Sequence, residues 1–185
     1  MAIKKIYTYS DETGQDTRGD FFLVSTVLTY KKPRNRLREY IEKIEEESKK
    51  GKLKWNKTKF ERKRHYLKLL GNIPEETKPN IYFSVFKKTK NYTYNTGLAI
   101  SKAIKGESLK QYKAKILVDG LNSKEQEKIK NVIKDKNIRY KKVRGTKDQN
   151  CCLTRLADAT AGFLRDCKTK KKYYKKDLIK ELVNE

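Results

Sequence analysis

The sequence predicts an α/β protein in which a mixed β-sheet is covered by helices on both faces. Two strand-like runs, Ile3–Ser10 and Phe21–Tyr30, open the chain, and a polar segment with two glycines joins them as in a hairpin. From Asn80 onward, strand-like segments alternate with segments of helical period. Hairpin strands are antiparallel, whereas strands joined through helices run parallel, so the two patterns together predict a mixed sheet.

Five segments have the composition of strands. They are rich in β-branched and aromatic residues, and glycine, proline or polar residues bound them. The second, FFLVSTVLTY, is almost continuously apolar, which is typical of a strand buried on both faces. In chain order the predicted strands are Ile3–Ser10, Phe21–Tyr30, Asn80–Lys87, Ala114–Val118 and Ile138–Val143.

Six segments repeat apolar residues at helical spacing. Two residue pairs, Thr58 with Glu61 and Ser123 with Gln126, have the spacing of a capping box at a helix start. In chain order, helices are predicted from Pro33, from Thr58 to Gly71, and at Tyr94–Lys105, Ser123–Asp135, Cys152–Cys167 and Tyr173–Val183. We expect a single domain over residues 1–185, with a helical insertion at 31–79 and a basic C-terminal helix at 168–185.

The chain is strongly basic, with 47 Lys and Arg against 23 Asp and Glu and a net charge of +24. The excess lies entirely in residues 31–185, since residues 1–30 carry more acids than bases. Such a chain suits a polyanionic partner, which means nucleic acid or an anionic membrane. A general requirement for solubility is the alternative explanation.

Several classes of protein are disfavoured. No apolar run approaches the roughly 20 residues of a membrane span, and the opening MAIKKI lacks a signal-peptide core. Three cysteines and one histidine do not have zinc-ligand spacing, and an odd cysteine count argues against a disulfide scaffold. We therefore expect a cytoplasmic protein that binds no zinc and no membrane. The oligomeric state stays open.

Three acids occupy positions where a carboxylate needs an explanation. Asp11 follows the first strand, Asp119 follows the fourth, and Asp158 lies in an apolar helix beside the small residues Ala157 and Ala161. If the two strands are neighbours and this helix packs on them, the three carboxylates meet at one end of the sheet. Converging carboxylates repel unless a cation lies between them, and carboxylate oxygens are the ligands of Mg²⁺ and Mn²⁺. Such ions can activate a water molecule that hydrolyses a phosphodiester bond.

Each acid also has a structural explanation. Asp11 could form an Asx turn, and Asp119 stands in the common turn dipeptide Asp-Gly. Asp158 could pair with Arg155 or Arg165 on its own helix.

Basic and aromatic residues are candidates for nucleic-acid contacts. Lys54, Arg144 and Lys147 could bind phosphates, and Trp55 could stack on a base or serve as a core anchor. The basic segments could equally form a solvated face. Asp148 precedes the late helix and could cap it or reach the metal site.

Two motifs carry a family resemblance. Asp11-Glu12-Thr13-Gly14 resembles the Asp-Glu-Ser-Gly signature of the family called domain of unknown function 3800, and residues 155–162, RLADATAG, resemble its Leu-Ala-Asp-x-x-Ala-Gly helix. Looser matches are Phe21-Phe22-Leu23-Val24, Lys52-Leu53-Lys54-Trp55 and the strand that ends at Asp119. Together the matches span most of the chain.

The resemblance implies a ribonuclease H-like fold, with a five-stranded sheet of order 3-2-1-4-5. It places Asp11, Asp119 and Asp158 as the metal-binding acids on the first strand, the fourth strand and a late helix. The fourth acid of such sites is missing from the helix after the third strand, and Glu12 or Glu107 could replace it.

Three functions follow as expectations. The first is a nuclease that depends on Mg²⁺ or Mn²⁺, with Asp11, Glu12, Asp119 and Asp158 as its catalytic residues. The second is a catalytically inactive, basic nucleic-acid-binding protein on the same fold. The third is a basic module that binds an acidic protein.

Overall fold

The computed structural model describes residues 3–17, 20–87 and 89–169, which form five strands and five helices. The predicted C-terminal helix, Tyr173–Val183, lies outside the described residues. The strands are β1 (Lys4–Thr13), β2 (Phe21–Tyr30), β3 (Asn80–Lys87), β4 (Tyr112–Asp119) and β5 (Tyr140–Thr146). The helices are α1 (Arg34–Glu47), α2 (Phe60–Gly71), α3 (Tyr92–Gly106), α4 (Ser123–Asp135) and α5 (Cys152–Thr169). Short 3₁₀ helices lie at Gln15–Thr17, Trp55–Lys57 and Asp148–Asn150.

The five strands form one mixed sheet in the order β3-β2-β1-β4-β5. β1 pairs antiparallel with β2, and β2 pairs antiparallel with β3, as expected for strands that begin as a hairpin. β1 pairs parallel with β4, and β4 pairs parallel with β5, because helices connect them. The predicted mixed sheet and its strand order are confirmed.

Helices cover both faces of the sheet. One face, called here the α5 face, carries Tyr7, Tyr9 and Leu117 and packs with α1, α2 and α5. The opposite face, called the α3 face, carries Ile6 and Ile116 and packs with α3 and α4. Side chains alternate between the faces along each strand, so every second residue of β1 and β4 points to the same layer of helices.

Helix α5 approaches the sheet closely. Ala157 and Ala161 are buried on it, and the hydroxyl of Thr160 lies 2.7 Å from that of Ser25 on β2. Small side chains at these positions leave room for that approach, as their sequence pattern predicts. None of the helices in the described ranges is long and apolar enough to cross a membrane.

Three strands, β1, β4 and β5, extend past the C-terminal residues predicted for them. β1 continues to Thr13, because its pairing with β2 runs on to Leu23. Asp11 therefore lies inside β1, opposite Ser25, and not in a turn after the strand. Asp119 is the last residue of β4.

Both predicted capping boxes are wrong. The Thr58 hydroxyl donates to the carbonyl of Lys54 at 2.9 Å, and α2 begins at Phe60 without a side-chain cap. At α4, the box is shifted by one residue: Asn122 accepts from the backbone N–H of Glu125 at 3.0 Å, and Glu125 accepts in return at 3.1 Å.

Candidate active site

The three predicted acids come from β1, β4 and α5. Tyr9 pairs with Leu117 across β1 and β4, so the next residues on the same face, Asp11 and Asp119, lie side by side at the end of both strands. Burial, followed by the charges of Asp158 and Asp119, raises the pKa of Asp11 well above its usual range. The structure thus brings three mutually repelling carboxylates to one end of the sheet.

These carboxylates are not assembled into a ligand cluster. Within the described ranges, no group of three or more His, Cys, Asp or Glu side chains is placed to hold a metal ion. Their oxygens nevertheless form the donor set that Mg²⁺ and Mn²⁺ prefer. The mutual repulsion that raises the pKa of Asp11 favours a cation at this position.

A lysine supplies one cation. The ammonium of Lys54 lies 3.6 Å from Asp119 Oδ2 and 3.5 Å from Asp148 Oδ2. Partial burial acts to lower the pKa of Lys54, but the charges of Asp148, Asp119 and Asp11 outweigh it and raise that pKa. Lys54 therefore supplies positive charge beside the acids, where a metal ion would otherwise do so. The sequence predicted only a contact of Lys54 with phosphate.

Asp148 belongs to this site. Its side chain is buried, and its backbone N–H donates to Asp119 Oδ1 at 2.9 Å. Of the two roles left open for Asp148, the structure favours the one at the acid cluster. Sequence spacing gave no signal for this hydrogen bond, because Asp119 and Asp148 are on different elements.

Asp158 fixes the segment that carries Lys54. It accepts a hydrogen bond of 2.7 Å from the backbone N–H of Trp55. Burial raises the pKa of Asp158, and that hydrogen bond and the lysine charges only partly offset the effect. The alternative pairing with Arg155 or Arg165 is wrong, because other partners hold both arginines.

Trp55 is a core anchor. Its side chain is 3% exposed, its ring meets Phe163 edge-on, and its Nε1 donates to Asp166 Oδ2 at 2.9 Å. A Cβ added at Gly162 would lie 2.2 Å from Cδ1 of the indole, so the ring rests directly on the backbone of α5. Stacking of Trp55 on a base is therefore wrong for this arrangement, since no ring face is available.

Glu12 points to the opposite side of the sheet from Asp11. Burial, with smaller contributions from the charges of Glu125 and Asp119, raises its pKa to about 7. One carboxylate oxygen accepts from Gln15 at 3.1 Å, whereas Oε2 is buried and has no hydrogen-bond partner among the described residues. Glu12 thus remains a candidate for the missing fourth acid.

Glu107 does not lie at this site. It accepts hydrogen bonds from Tyr30, Asn80 and Tyr82. Tyr30 pairs with Ile6 near the start of β1, at the other end of the strand from Asp11. Glu107 therefore cannot replace the fourth acid.

The turn after Glu12 requires its glycine. Gly14 has φ +96°, and a Cβ there would lie 2.5 Å from the carbonyl oxygen of Phe21. Thr13 accepts a hydrogen bond of 3.1 Å from Arg165, which ties this turn to α5. Thr13 and Gly14 of the N-terminal motif thus fix the backbone beside the acids.

The acids line two depressions in the surface. The depressions have volumes of about 490 and 600 Å³, and Asp11, Glu12 and Thr13 line both of them. Lys54 and Asp158 line the larger one. Arg144 and Lys147, the remaining predicted phosphate contacts, lie apart from both and line a cavity of about 910 Å³.

Two of the solved structures that the chain matches come from work on ribonucleases HII and H2. The chain matches a chain of the PCNA–RNase HII complex from Archaeoglobus fulgidus with a TM-score of 0.54 and 14% identity, over 90% of this chain and 75% of that one. It matches ribonuclease H2 from Pyrococcus horikoshii OT3 with a TM-score of 0.52 and 16% identity, over 93% and 82%. No family model matches the sequence, and no curated protein does. At these identities the likeness extends to the fold alone, and the chain has a ribonuclease H-like α/β fold.

Proposed function

We propose that the protein is a cytoplasmic nuclease that hydrolyses phosphodiester bonds with a carboxylate-held Mg²⁺ or Mn²⁺. The observation that carries the proposal is the partly buried carboxylate of Asp11, whose pKa is raised by the charges of Asp158 and Asp119 as well as by burial, beside the end of the parallel strand β4. The ribonuclease H-like fold and the excess of basic residues support it. The resemblance to domain of unknown function 3800 supports it as well, and we propose membership of that family.

In this proposal, Asp11, Asp119 and Asp158 bind the metal. The metal would polarise the phosphate and lower the pKa of a bound water. Glu12, which lines the same two depressions as Asp11, would complete the acid set. Lys54 balances the charge of Asp119 when no metal is bound, and its half-exposed side chain can also reach a phosphate.

A binding protein without catalytic activity is the second candidate. Its support is the ion pair of Lys54 with Asp119 and Asp148, which provides a cation without any metal. The absence of a preassembled ligand group among the described residues favours the same candidate.

A cleavage assay separates the two candidates. Labelled single-stranded and double-stranded RNA, DNA and hybrid are incubated with Mg²⁺, Mn²⁺ or EDTA. The variants are Asp158→Asn and, as a matched control, Asp135→Asn, which removes an exposed carboxylate at the end of α4.

The nuclease proposal expects cleavage with a divalent ion and none in EDTA. Asp158→Asn should lower the rate at least about 100-fold, whereas Asp135→Asn should leave it unchanged. No cleavage under any condition, together with tight salt-sensitive binding, would favour the binding protein. Calorimetry adds a direct measurement: unchanged Mn²⁺ affinity in Asp11→Asn would exclude the metal site.

A further inference from the structure

A basic cavity lies on the sheet beside the acids. It is the cavity of about 910 Å³ on the α5 face, bounded by β1, β4, β5 and the first turns of α1. We call it the basic groove. Among the described residues, none that lines the groove is acidic. The cationic lining residues within the same ranges are Arg34, Arg38, Lys115, Lys142, Arg144 and Lys147.

The groove exists because none of the helices within residues 3–17, 20–87 and 89–169 covers this part of the sheet. Helix α5 packs mainly on β1 and β2, and among the described helices only α4 packs appreciably on β5, from the α3 face. Register explains the charge: Lys115 of β4 pairs with Lys142, and Leu117 pairs with Arg144. The exposed side chains of two neighbouring strands therefore line one surface with cations.

The cations of the groove are held together without matching carboxylates. Both Arg34 and Lys115 lie over the ring of Tyr7, at 4.3 and 5.3 Å from its centre. The Nε of Arg34 is buried and has no hydrogen-bond partner in the described part of the chain. Apart from a 3.9 Å contact between Arg38 and Glu42, no ion pair among the described residues neutralises a groove cation. Like charges kept this close favour an anionic ligand.

The groove leads to the candidate acids. Gly120 and Leu121 line both the groove and the depression that contains Asp11 and Asp119. Lys115 precedes Asp119 by four residues on β4, which corresponds to about 13 Å along an extended strand. The axial rise of about 3.4 Å per phosphate applies to a double helix. Consecutive phosphates of an extended single strand lie farther apart than that, so only two or three of them span this distance.

The dimensions select the form of nucleic acid. The groove has the volume of a small-ligand pocket, which is typically about 300–1,000 Å³. A double helix is wider than a compact space of this volume, so only a single strand fits inside the groove. Tyr7 and Tyr9 are buried in the floor, so no aromatic face is available to bases, and contacts are limited to the backbone.

We propose that the basic groove binds two or three consecutive phosphates of a single-stranded nucleic acid, adjacent to the site of cleavage. That the bound strand continues toward Asp11 and Asp119 for cleavage rests on the proposed nuclease function. Binding of the strand in the groove does not depend on that function. Recognition through phosphates alone makes the binding independent of base sequence. The substrate class is then a nucleic acid with a single-stranded segment next to the cut.

The test is fluorescence anisotropy with labelled twelve-nucleotide oligo(U) and oligo(dT) in EDTA, as a function of NaCl concentration. The variant is Lys142→Ala/Arg144→Ala. The matched control is Lys128→Ala/Lys134→Ala, which removes the same charge from the exposed side of α4. A blunt duplex and a mononucleotide serve as competitors, and circular dichroism checks that both variants fold.

For the groove variant, we expect the slope of log affinity against log salt to fall by about 0.7 for each lost phosphate contact, hence by about 1.4. The control should keep the wild-type slope, and neither competitor should displace the single strand at equal concentration. Equal losses in both variants would overturn the proposal, because net charge alone would then explain the binding. Displacement by the duplex or by the mononucleotide would also overturn it.

Failure of this proposal and failure of the nuclease can be told apart. If the groove variant loses binding but the wild type never cleaves, the groove stands and the nuclease is wrong. If the wild type cleaves and the groove variant cleaves with unchanged KM, the nuclease stands and the groove is wrong.

Discussion

A buried ion pair holds the turn that positions Asp148. The guanidinium of Arg155 on α5 donates to both carboxylate oxygens of Glu45 on α1, at 2.7 and 2.6 Å. It also donates to the backbone carbonyls of Asp148 and Gln149, at 3.0 and 3.2 Å. Both charged side chains are about 5% exposed or less. One arginine therefore joins two helices to the turn beside Asp119.

Replacing this arginine with methionine should destabilise the protein severely. Arg155→Met leaves the Glu45 carboxylate buried without the two hydrogen bonds that Arg155 donates to it. Removing one partner of a buried pair costs about 3–5 kcal/mol. The charge of buried Lys50 interacts with Glu45 and remains, so we expect about 3 kcal/mol, at the lower end of that range. At about 2–4 °C per kcal/mol, Tm should fall by about 10 °C.

The double variant tests the physical reason. In Glu45→Met/Arg155→Met, no charge stays behind, and apolar replacement of a buried pair is often nearly neutral. The free energy of unfolding, measured by urea denaturation of the wild type, both single variants and the double variant, gives the coupling energy. A loss below 1 kcal/mol in Arg155→Met, or a double variant as unstable as the sum of the single variants, would refute the reasoning.

The remaining predictions concern the acids and the Trp55 anchor. Glu12 has a folded-state pKa of about 7 against an ordinary value of 4.5, so metal-free protein loses stability as pH rises through this window. Glu12→Gln should remove this loss of stability, which amounts to about 3 kcal/mol above pH 7. Urea unfolding in EDTA at pH 4.5 and pH 8 measures it. The same pH dependence of unfolding in the wild type and the variant would contradict the burial argument. Lys54→Met removes the cation that competes for Asp119, so Mn²⁺ should bind up to about five-fold tighter by calorimetry, whereas weaker binding would make Lys54 a supporting group. Gly162→Ala places a Cβ 2.2 Å from Trp55. This overpacking should lower the free energy of unfolding by about 1–3 kcal/mol, which thermal unfolding followed by circular dichroism measures. An unchanged Tm would mean that the indole ring moves aside freely.

The sheet was predictable because each strand carries its own local signal. The bounds of β2, Phe21–Tyr30, and of β3, Asn80–Lys87, agree with the predictions residue by residue. The end of β1 was not predictable from composition, because the polar residues Asp11 to Thr13 are extended only through their pairing with β2.

The candidate acids could be selected from sequence, but their surroundings could not. Asp11, Asp119 and Asp158 follow apolar strands or interrupt an apolar helix, which is a local feature. The contacts of Lys54 with Asp119 and Asp148 join segments far apart in the chain, and no local pattern encodes them. Thr58 shows the same limit on a smaller scale, since its hydroxyl bonds backward to Lys54 instead of capping α2.

Trp55, the only tryptophan in the chain, gives the protein a built-in optical label. Its backbone is bonded to Asp158, its indole to Asp166, and its neighbour Lys54 reaches Asp119. Any event that releases this segment from α5 transfers the indole from a dry contact to water, which shifts its emission to longer wavelength. Tryptophan fluorescence of the unmodified protein therefore reports directly whether Mg²⁺ or an oligonucleotide releases this segment beside the acids.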